Sequence, residues 1–471
     1  MDMIFIELQK DSDIPLYQQI YNQIKQDMID GKFPVGMKLP SKRQLEEFLG
    51  VSQTTIEMAY DQLTAEGFIA AEPRKGYFVQ AIEELAYVQP VKSETVAEIP
   101  IIKPIHYDFS PSSIDTENFP FIIWRKYARD IMDTTNAHLL LLGDPHGDIE
   151  LRQEIARYLY HSRGVDCTPE QIIVGSGTEQ LLPLIIRILG EWARYAIEDP
   201  GYLMTKHVFS EYYKKTIPIA VDHEGLDVKA LQRSDATIAY VTPSHQFPTG
   251  TVLSAARRTA LLNWAASNPE FFIIEDDYDS EFRYRGRPIP SLQGMDKGEN
   301  VIYLSTFTKS LMPSMRIAYM VLPPRLLDTY RQAFIPYSSS VPRIDQHILA
   351  RFMADGQFSR HLNRMRKIYR RKMHTLTNLL KSYEPTISFS GDEAGMHVLL
   401  HVHTNRTEKI LIDEALQSGI KVRGLDTYKV MPDQSPPSFL IGFGGLTEED
   451  IKLAIPKLLD VWNIKKTAIP E

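Results

Sequence analysis

Five short apolar runs, each stopping at a polar turn, set the tightest limit on what this chain can fold into. They are Ile172-Ile173-Val174, Tyr195-Ala196-Ile197, Ile238–Val241, Phe271-Phe272-Ile273-Ile274 and Val301-Ile302-Tyr303-Leu304. Each is too short for a helix and too evenly apolar for a strand wetted on one face, so each reads as a strand buried on both faces. Helical stretches separate them, such as the one that begins at Glu179. Strands alternating with helices from Asp108 onward predict a large α/β domain with a mostly parallel sheet. Open sheets of this kind place ligands at the carboxyl ends of their strands, so the five turns are where chemistry is to be sought.

The last run delivers Ser305-Thr306-Phe307-Thr308-Lys309-Ser310, with Arg316 beyond it and a second apolar run at 317–322. A lysine in a small-residue turn at a strand's end can form a Schiff base with an aldehyde, and Thr306, Thr308 and Arg316 can hold a phosphate. Taken alone, the same lysine also fits a solvated surface position. Gly175-Ser176-Gly177-Thr178 opens a helix, whose free amides and positive dipole end suit an anion. Glu198-Asp199-Pro200-Gly201-Tyr202 sets a ring just past a strand, where it can stack on a flat cofactor or lie half-buried in a turn. A long polar turn, Thr242-Pro243-Ser244-His245-Gln246-Phe247-Pro248-Thr249-Gly250, follows the third run.

Glu275-Asp276-Asp277-Tyr278-Asp279 brings carboxylates out of a buried strand. Asp276 can pair with a protonated ring nitrogen, and Tyr278 can bond a ring hydroxyl. The plainer alternatives are a solvated acidic loop or a metal site, and no His or Cys ligand spacing accompanies it, so no metal is expected. An aldehyde trap, a phosphate cradle, a stacking ring and a partner for a pyridine nitrogen together meet the needs of pyridoxal phosphate.

Ahead of this domain the chain opens with a compact helical unit. Pro15 leads into Leu16 to Asp30, where Ile20, Ile24 and Met28 recur at helical spacing before Gly31. Ser41 caps a second helix with Gln44 completing a capping box, and Leu45, Phe48 and Leu49 form its inward stripe. Val51 and Ile56 staple a third helix that Ser52 caps, with Ile56, Ala59, Tyr60 and Leu63 facing in. Two helices joined so tightly make a helix-turn-helix.

The short polar Gln53, Thr54 and Thr55, next to Ser52, can reach base edges in a major groove. A hairpin with Arg74 and Lys75 at its tip forms a wing over phosphates. Residues 1–80 hold more acids than bases, which suits a bundle that only docks another protein. Yet Lys38, Lys42, Arg43, Arg74 and Lys75 gather at helix starts and at the wing, where phosphate contacts belong.

At 471 residues the chain exceeds one ordinary core, so two domains are expected. The boundaries read as 1–80 for the winged helix-turn-helix, 81–104 for a linker of scattered Glu, Lys and Pro, and 105–471 for the large domain. The single cysteine, Cys167, suits a reducing compartment, and Met1 to Lys10 has no signal-peptide pattern, so a cytoplasmic location is expected. The greasiest segment, Leu181 to Leu189, is too short to span a bilayer. A formal charge of -8 argues against bulk attraction to nucleic acid, though not against a local basic face.

Leu39-Pro40-Ser41-Lys42-Arg43-Gln44-Leu45, Val51-Ser52-Gln53-Thr54-Thr55-Ile56 and Leu63-Thr64-Ala65-Glu66-Gly67-Phe68 resemble the winged helix-turn-helix of GntR-type bacterial repressors. That family usually has arginine where Gln53 stands, which bears on the operator sequence. From about Asp108 to Ile464 the chain resembles the fold-type I aminotransferases, through Gly-x-Gly-Thr, Pro-Gly-Tyr, Pro-x-Gly, Glu-Asp-Asp-Tyr and Thr-Lys-Ser-x-x-Pro-x-x-Arg in that order. The implied fold is a large, mostly parallel sheet domain with a small C-terminal α+β subdomain.

The resemblance implies that Lys309 is the Schiff-base lysine, Asp276 the ring-nitrogen partner, Tyr278 the ring-hydroxyl partner and Tyr202 the stacking ring. It places Ser176, Gly177, Thr178, Thr306 and Arg316 around the phosphate. Phe247 stands where aminotransferases have asparagine, which leaves His245 or Gln246 to meet the ring hydroxyl. Ser438-Phe439-Leu440-Ile441-Gly442-Phe443 lacks the usual arginine for a substrate carboxylate. Arg423 and Arg163 are distant candidates that also fit surface ion pairs.

From end to end the chain resembles the MocR/GabR subfamily, bacterial transcription factors that bind pyridoxal phosphate and use the aminotransferase-like body as a sensor. This implies a double-stranded DNA operator with two half-sites and a GabR-like head-to-tail homodimer. It also implies an amine or amino-acid effector, or pyridoxal phosphate itself, sensed through Schiff-base chemistry at Lys309, with at most weak transaminase activity. The alternative is a working aminotransferase whose head anchors it on DNA.

Overall fold

A computed structural model describes residues 6, 8–9, 12–81, 104–284, 289–334, 337–432 and 435–467. The chain divides into two compact units, Met1–Ile101 and Ile102–Glu471. The expected linker at 81–104 lies outside the described residues except at its ends.

In the first unit, helix Leu16–Ile29 buries Ile20, Ile24 and Met28, and helix Gln53–Ala65 buries Ile56, Ala59, Tyr60 and Leu63 against it. Between them Lys42–Leu49 begins at Ser41, whose capping box with Gln44 is complete, and stops at Gly50 in the left-handed conformation. Burial corrects one expectation: Leu45 is the buried residue of that short helix, while Phe48 is 42% exposed. Phe48 is three residues past Leu45, about 60° off its line, and a helix packed on one neighbour buries only a narrow stripe. Strands Ile69–Glu72 and Gly76–Val79 pair antiparallel with Ile69 opposite Val79, forming the wing.

The second unit is built on a sheet ordered Ile172–Gly175, Ala318–Val321, Val301–Thr306, Phe272–Asp277, Ile238–Val241, Tyr195–Asp199, Thr216–Asp222 and Gly225–Leu226. Only Ala318–Val321 and Gly225–Leu226 run against the rest. The connection after Thr306 contains no crossover helix, so the chain must return antiparallel. Alternation sorts each strand's side chains between two cores: Ile302 and Leu304 pack with Leu181 and Ile185, while Tyr303 packs with Leu151 and Ile155. Each such aliphatic side chain, fully buried, contributes about 1.5–3 kcal/mol.

The C-terminal part holds a second, antiparallel sheet ordered Ile387–Ser390, His397–Val402, Ser438–Gly442 and Arg423–Gly424. Helices Gln357–Lys381 and Glu448–Val461 belong to the same core. No helix among the described residues is long and apolar enough to cross a membrane.

Candidate functional site

The five turns do meet. A cavity of about 440 Å³ is lined by Lys309, Asp276, Tyr278, Gly177, Thr178, Tyr202, Thr306 and Arg316, with Thr308 beside them. Strand alternation explains why Asp276 reaches it while its neighbours do not. Glu275, on the opposite face, accepts from the backbone N–H groups of Leu292 and Gln293 at 2.9 Å each. Asp277, on that same face, accepts from Arg163 Nε at 2.7 Å and from the Tyr303 hydroxyl at 2.6 Å.

Asp276 accepts from the Tyr240 hydroxyl through Oδ2, while its Oδ1 is buried with no partner. Burial is the main reason its carboxyl is pushed up to about 7; the Tyr240 bond opposes this, and Asp277 and Asp279 add to it. A carboxylate in this position calls for a buried donor or cation. Lys309, half-buried in the turn after Val301–Thr306, donates to the carbonyl of Pro111. Burial lowers its amine to about 8, against the pull of Asp279. A lysine of this kind has a usable share of neutral, nucleophilic amine near neutral pH.

The start of helix Thr178–Leu189 has no side-chain cap, so its first amides are open to an anion. A Cβ on Gly177 would stand 2.4 Å from Arg316 Nη2 and 2.5 Å from Glu179 Oε2, so only glycine allows the guanidinium to approach this turn. Arg316 itself takes the left-handed conformation at φ 52° and pairs with Glu179 across the cradle. The Thr306 and Thr308 hydroxyls lie 2.7 Å apart at its edge. Ser176 is not among the lining residues; its backbone N–H donates to Gln180 at 3.3 Å.

Tyr202 lies at the mouth, 41% exposed. Phe247 occupies the centre of an aromatic cage, edge-on to Tyr202, Tyr278 and Tyr428 at 5.6, 5.9 and 5.1 Å. Neither of the residues expected to replace the asparagine lines the cavity. Gln246 is turned away, donating to Pro200 and Phe247 carbonyls at 2.9 and 2.7 Å. His245 is buried behind Tyr278. Phe247 takes the place in the wall, and both polar residues of the turn lie buried away from the cavity.

Two further expectations change. Arg163 is not at the surface: it is 5% exposed and holds Asp277 and the Ser244 hydroxyl, at 2.5 Å for the latter. Arg423 is not remote, because its strand Arg423–Gly424 sets it in the cavity wall with His397 and Tyr428. Sequence reading missed His397, whose Nε2 donates to the Pro248 carbonyl at 3.1 Å. Burial brings it down to about 3, so it is neutral. It also missed the brace that Glu179 makes, since an acid in a helix's first turn is ordinary. His245, Asp279 and His397 offer ligand atoms within 4.8 Å of one another, a set of the kind that holds a metal ion. Nothing in their sequence spacing announced it.

In the first unit, Gln53 and Thr54 are exposed at the start of helix Gln53–Ala65. The Ser52 hydroxyl caps that helix, accepting from Thr55 N–H at 3.3 Å with the Thr55 hydroxyl 2.8 Å away. Lys42 is drawn inward: its Nζ lies 2.7 Å from Glu57 and 3.6 Å from Asp61, so it ties the two helices together. Arg43 and Arg74 are exposed and make no ion pair among the described residues, while Lys75 pairs with Glu72 at 3.0 Å at the wing tip.

Residues 111–458 match the family described as aminotransferase class I and II, and residues 16–79 match the bacterial regulatory proteins of the gntR family. The chain is 40% identical over 465 residues to an uncharacterized HTH-type transcriptional regulator, YdeL, of Bacillus subtilis, covering 97% of this chain and 99% of that protein. It is 30% identical over 476 residues to the probable rhizopine catabolism regulatory protein MocR of Rhizobium meliloti, covering 96% and 94%. Over 449 residues it is 31% identical to the pyridoxine biosynthesis transcriptional regulator PdxR of Corynebacterium glutamicum, covering 95% and 96%. Among solved structures, an archaeal alanine:glyoxylate aminotransferase superposes with a TM-score of 0.71 at 23% identity, covering 77% of this chain and 92% of that one.

Proposed function

The chain belongs to the MocR-type family of GntR-like transcriptional regulators, with an aminotransferase class I and II body, and from that premise we propose that it senses a primary amine through pyridoxal phosphate held on Lys309. One observation carries the reading: the Lys309 amine and Asp276, whose Oδ1 has no partner, line the same cavity as the open helix start at Thr178. The residues fit the cofactor. Asp276 Oδ1 would accept from a protonated ring nitrogen, Gly177, Thr178, Thr306 and Arg316 would hold the phosphate, and Tyr202 would cover the ring. When bound, the cofactor supplies an aldehyde that condenses reversibly with primary amines.

The chain's own groups set the rest. With its amine near 8, Lys309 is neutral in about a tenth of molecules at pH 7, against roughly three in ten thousand at the ordinary value. Arg316 can exchange Glu179 for an incoming phosphate, because both are anions at the same guanidinium. Arg423 in the cavity wall supports an amino-acid effector over sensing of the cofactor alone, since it offers a carboxylate a bidentate partner. Moving a regulator from 1:99 to 99:1 between two states takes a differential affinity of about 5.5 kcal/mol, which the effector must provide.

We place the protein in the cytoplasm, on a two-half-site operator, as a head-to-tail homodimer. Ile122, Leu140, Leu141 and Leu142, each at least 70% exposed, support a subunit contact on the second unit. Footprinting on the upstream DNA with a panel of amino acids tests the function. The footprint should change with one of them in the wild-type protein and stay fixed in Lys309→Ala. An identical response in the variant refutes sensing through Lys309, and turnover of an amino acid with a keto acid at about 1–1000 per second would instead establish a working aminotransferase.

A further inference from the structure

Behind Tyr278 the wall of the cavity holds titratable groups that the proposed function leaves unused. His245 is 1% exposed and Asp279 2%. His245 Nδ1 lies 2.9 Å from Asp279 Oδ2, 3.2 Å from Oδ1 and 3.0 Å from the Tyr278 hydroxyl oxygen. A carboxylate can only accept, so the ring proton sits on Nδ1 and is shared between Asp279 and Tyr278. A hydroxyl whose oxygen accepts in this way keeps its own hydrogen for another partner, and Tyr278 lines the cavity.

The surrounding groups hold this arrangement in place. A Cβ on Gly395 would stand 2.0 Å from His245 Cε1 and 2.4 Å from Nδ1, so the backbone there presses the imidazole against Asp279. His397 lies 5.1 Å away between ring centres but spends its Nε2 proton on the Pro248 carbonyl. His245 Nε2 is buried without a partner, so nothing pulls the proton to that side. The nearby cation is Lys309, which Asp279 attracts.

We propose that His245 and Asp279 are positioning residues that fix the Tyr278 hydroxyl as a hydrogen-bond donor into the cavity, making up for the asparagine that Phe247 replaces. This rests on the cofactor reading, in which the acceptor is the ring oxygen of pyridoxal phosphate. A donor stabilises that oxygen in its anionic form, so it lowers the pH at which the visible absorbance of the loaded protein titrates.

The test is a spectrophotometric pH titration of the cofactor-loaded full-length protein and its variants. An asparagine side chain in place of His245 carries its amide close to the place of Nδ1, whereas a glutamine carries it close to the place of Nε2. His245→Gln should therefore raise the midpoint by about one pH unit, while His245→Asn restores it to within about a third of a unit. In a Tyr278→Phe background the His245→Gln effect should vanish, because no hydroxyl remains to be turned; a fold defect would persist there.

Equal midpoints for His245→Gln and His245→Asn, or a His245→Gln shift that survives the loss of the Tyr278 hydroxyl, overturn the assignment while leaving the cofactor reading intact. One equivalent of zinc in the loaded wild-type protein overturns it as well, since Nδ1 would then be a ligand atom and not a donor. A wild-type protein that shows no visible band with added pyridoxal phosphate refutes the cofactor reading itself, and the positioning role with it.

Discussion

Replacing Asp276 with asparagine should act in opposite directions on the loaded and the cofactor-free protein. In the folded chain, burial above all raises this carboxyl from 3.8 to about 7. That difference of about 3 units corresponds to about 4 kcal/mol. Between pH 4 and 7 the folded state holds a proton that the unfolded chain has lost, so stability without cofactor falls as pH rises through that window. The Asp276→Asn substitution would remove this penalty and keep an acceptor for Tyr240, but the new amide NH2 would inherit the unpartnered position of Oδ1, at a cost of about 1–3 kcal/mol.

The cofactor-free Asp276→Asn protein should thus be more stable than wild type at pH 8, by about 1–3 kcal/mol. At pH 4, where the wild-type carboxyl is protonated, it should be equal or less stable. With pyridoxal phosphate bound, the wild type should be the more stable form at pH 8, because a charged acceptor then faces a cation. Urea unfolding of the second unit at both pH values, with and without cofactor, measures all four differences. Equal destabilisation of Asp276→Asn at pH 8 in both forms would refute the idea of a buried charge kept for an absent partner.

Three more outcomes follow from the same geometry. Arg43→Ala should weaken operator binding and reduce the salt slope of log K by about one, whereas Lys42→Ala should leave the slope nearly unchanged and instead lower the melting temperature of the first unit, since Lys42 braces Glu57; calorimetry and salt titrations separate the two. Ser52→Ala should cost that unit about 1 kcal/mol through loss of the cap to Thr55, read by thermal unfolding of the full chain. Gly395→Ala combines a backbone at φ +72° with a clash at His245, and should cost about 2–4 kcal/mol, measured by urea unfolding.

Much of the fold was legible because its signals are local. Ser41 and Gln44 make a capping box from neighbouring residues, and Gly50 ends the helix by its own backbone freedom. All five apolar runs became buried strands of one sheet, four of them in its interior and Ile172–Gly175 at its edge, because burial on both faces suits them. Lys309, Asp276, Gly177 and Tyr202 could be named because strand ends in an open sheet share one edge. What the sequence left open falls where a side chain had to choose between partners far apart in the chain. Lys42 chose Glu57 over solvent, Arg163 chose Asp277 in the interior, and His245 chose Asp279 and Tyr278 over the cavity.

Sequence alone determined which elements form and which strand ends carry reactive groups, since hydrophobic period, caps and turn residues act over a few positions. Tertiary structure decided which groups share a proton or a cavity, including Arg423 and His397, delivered to Lys309 by a sheet remote from it in sequence. Hydrogen bonds and ion pairs are short-ranged and directional, so one ångström of packing settles a partnership that spacing along the chain does not encode.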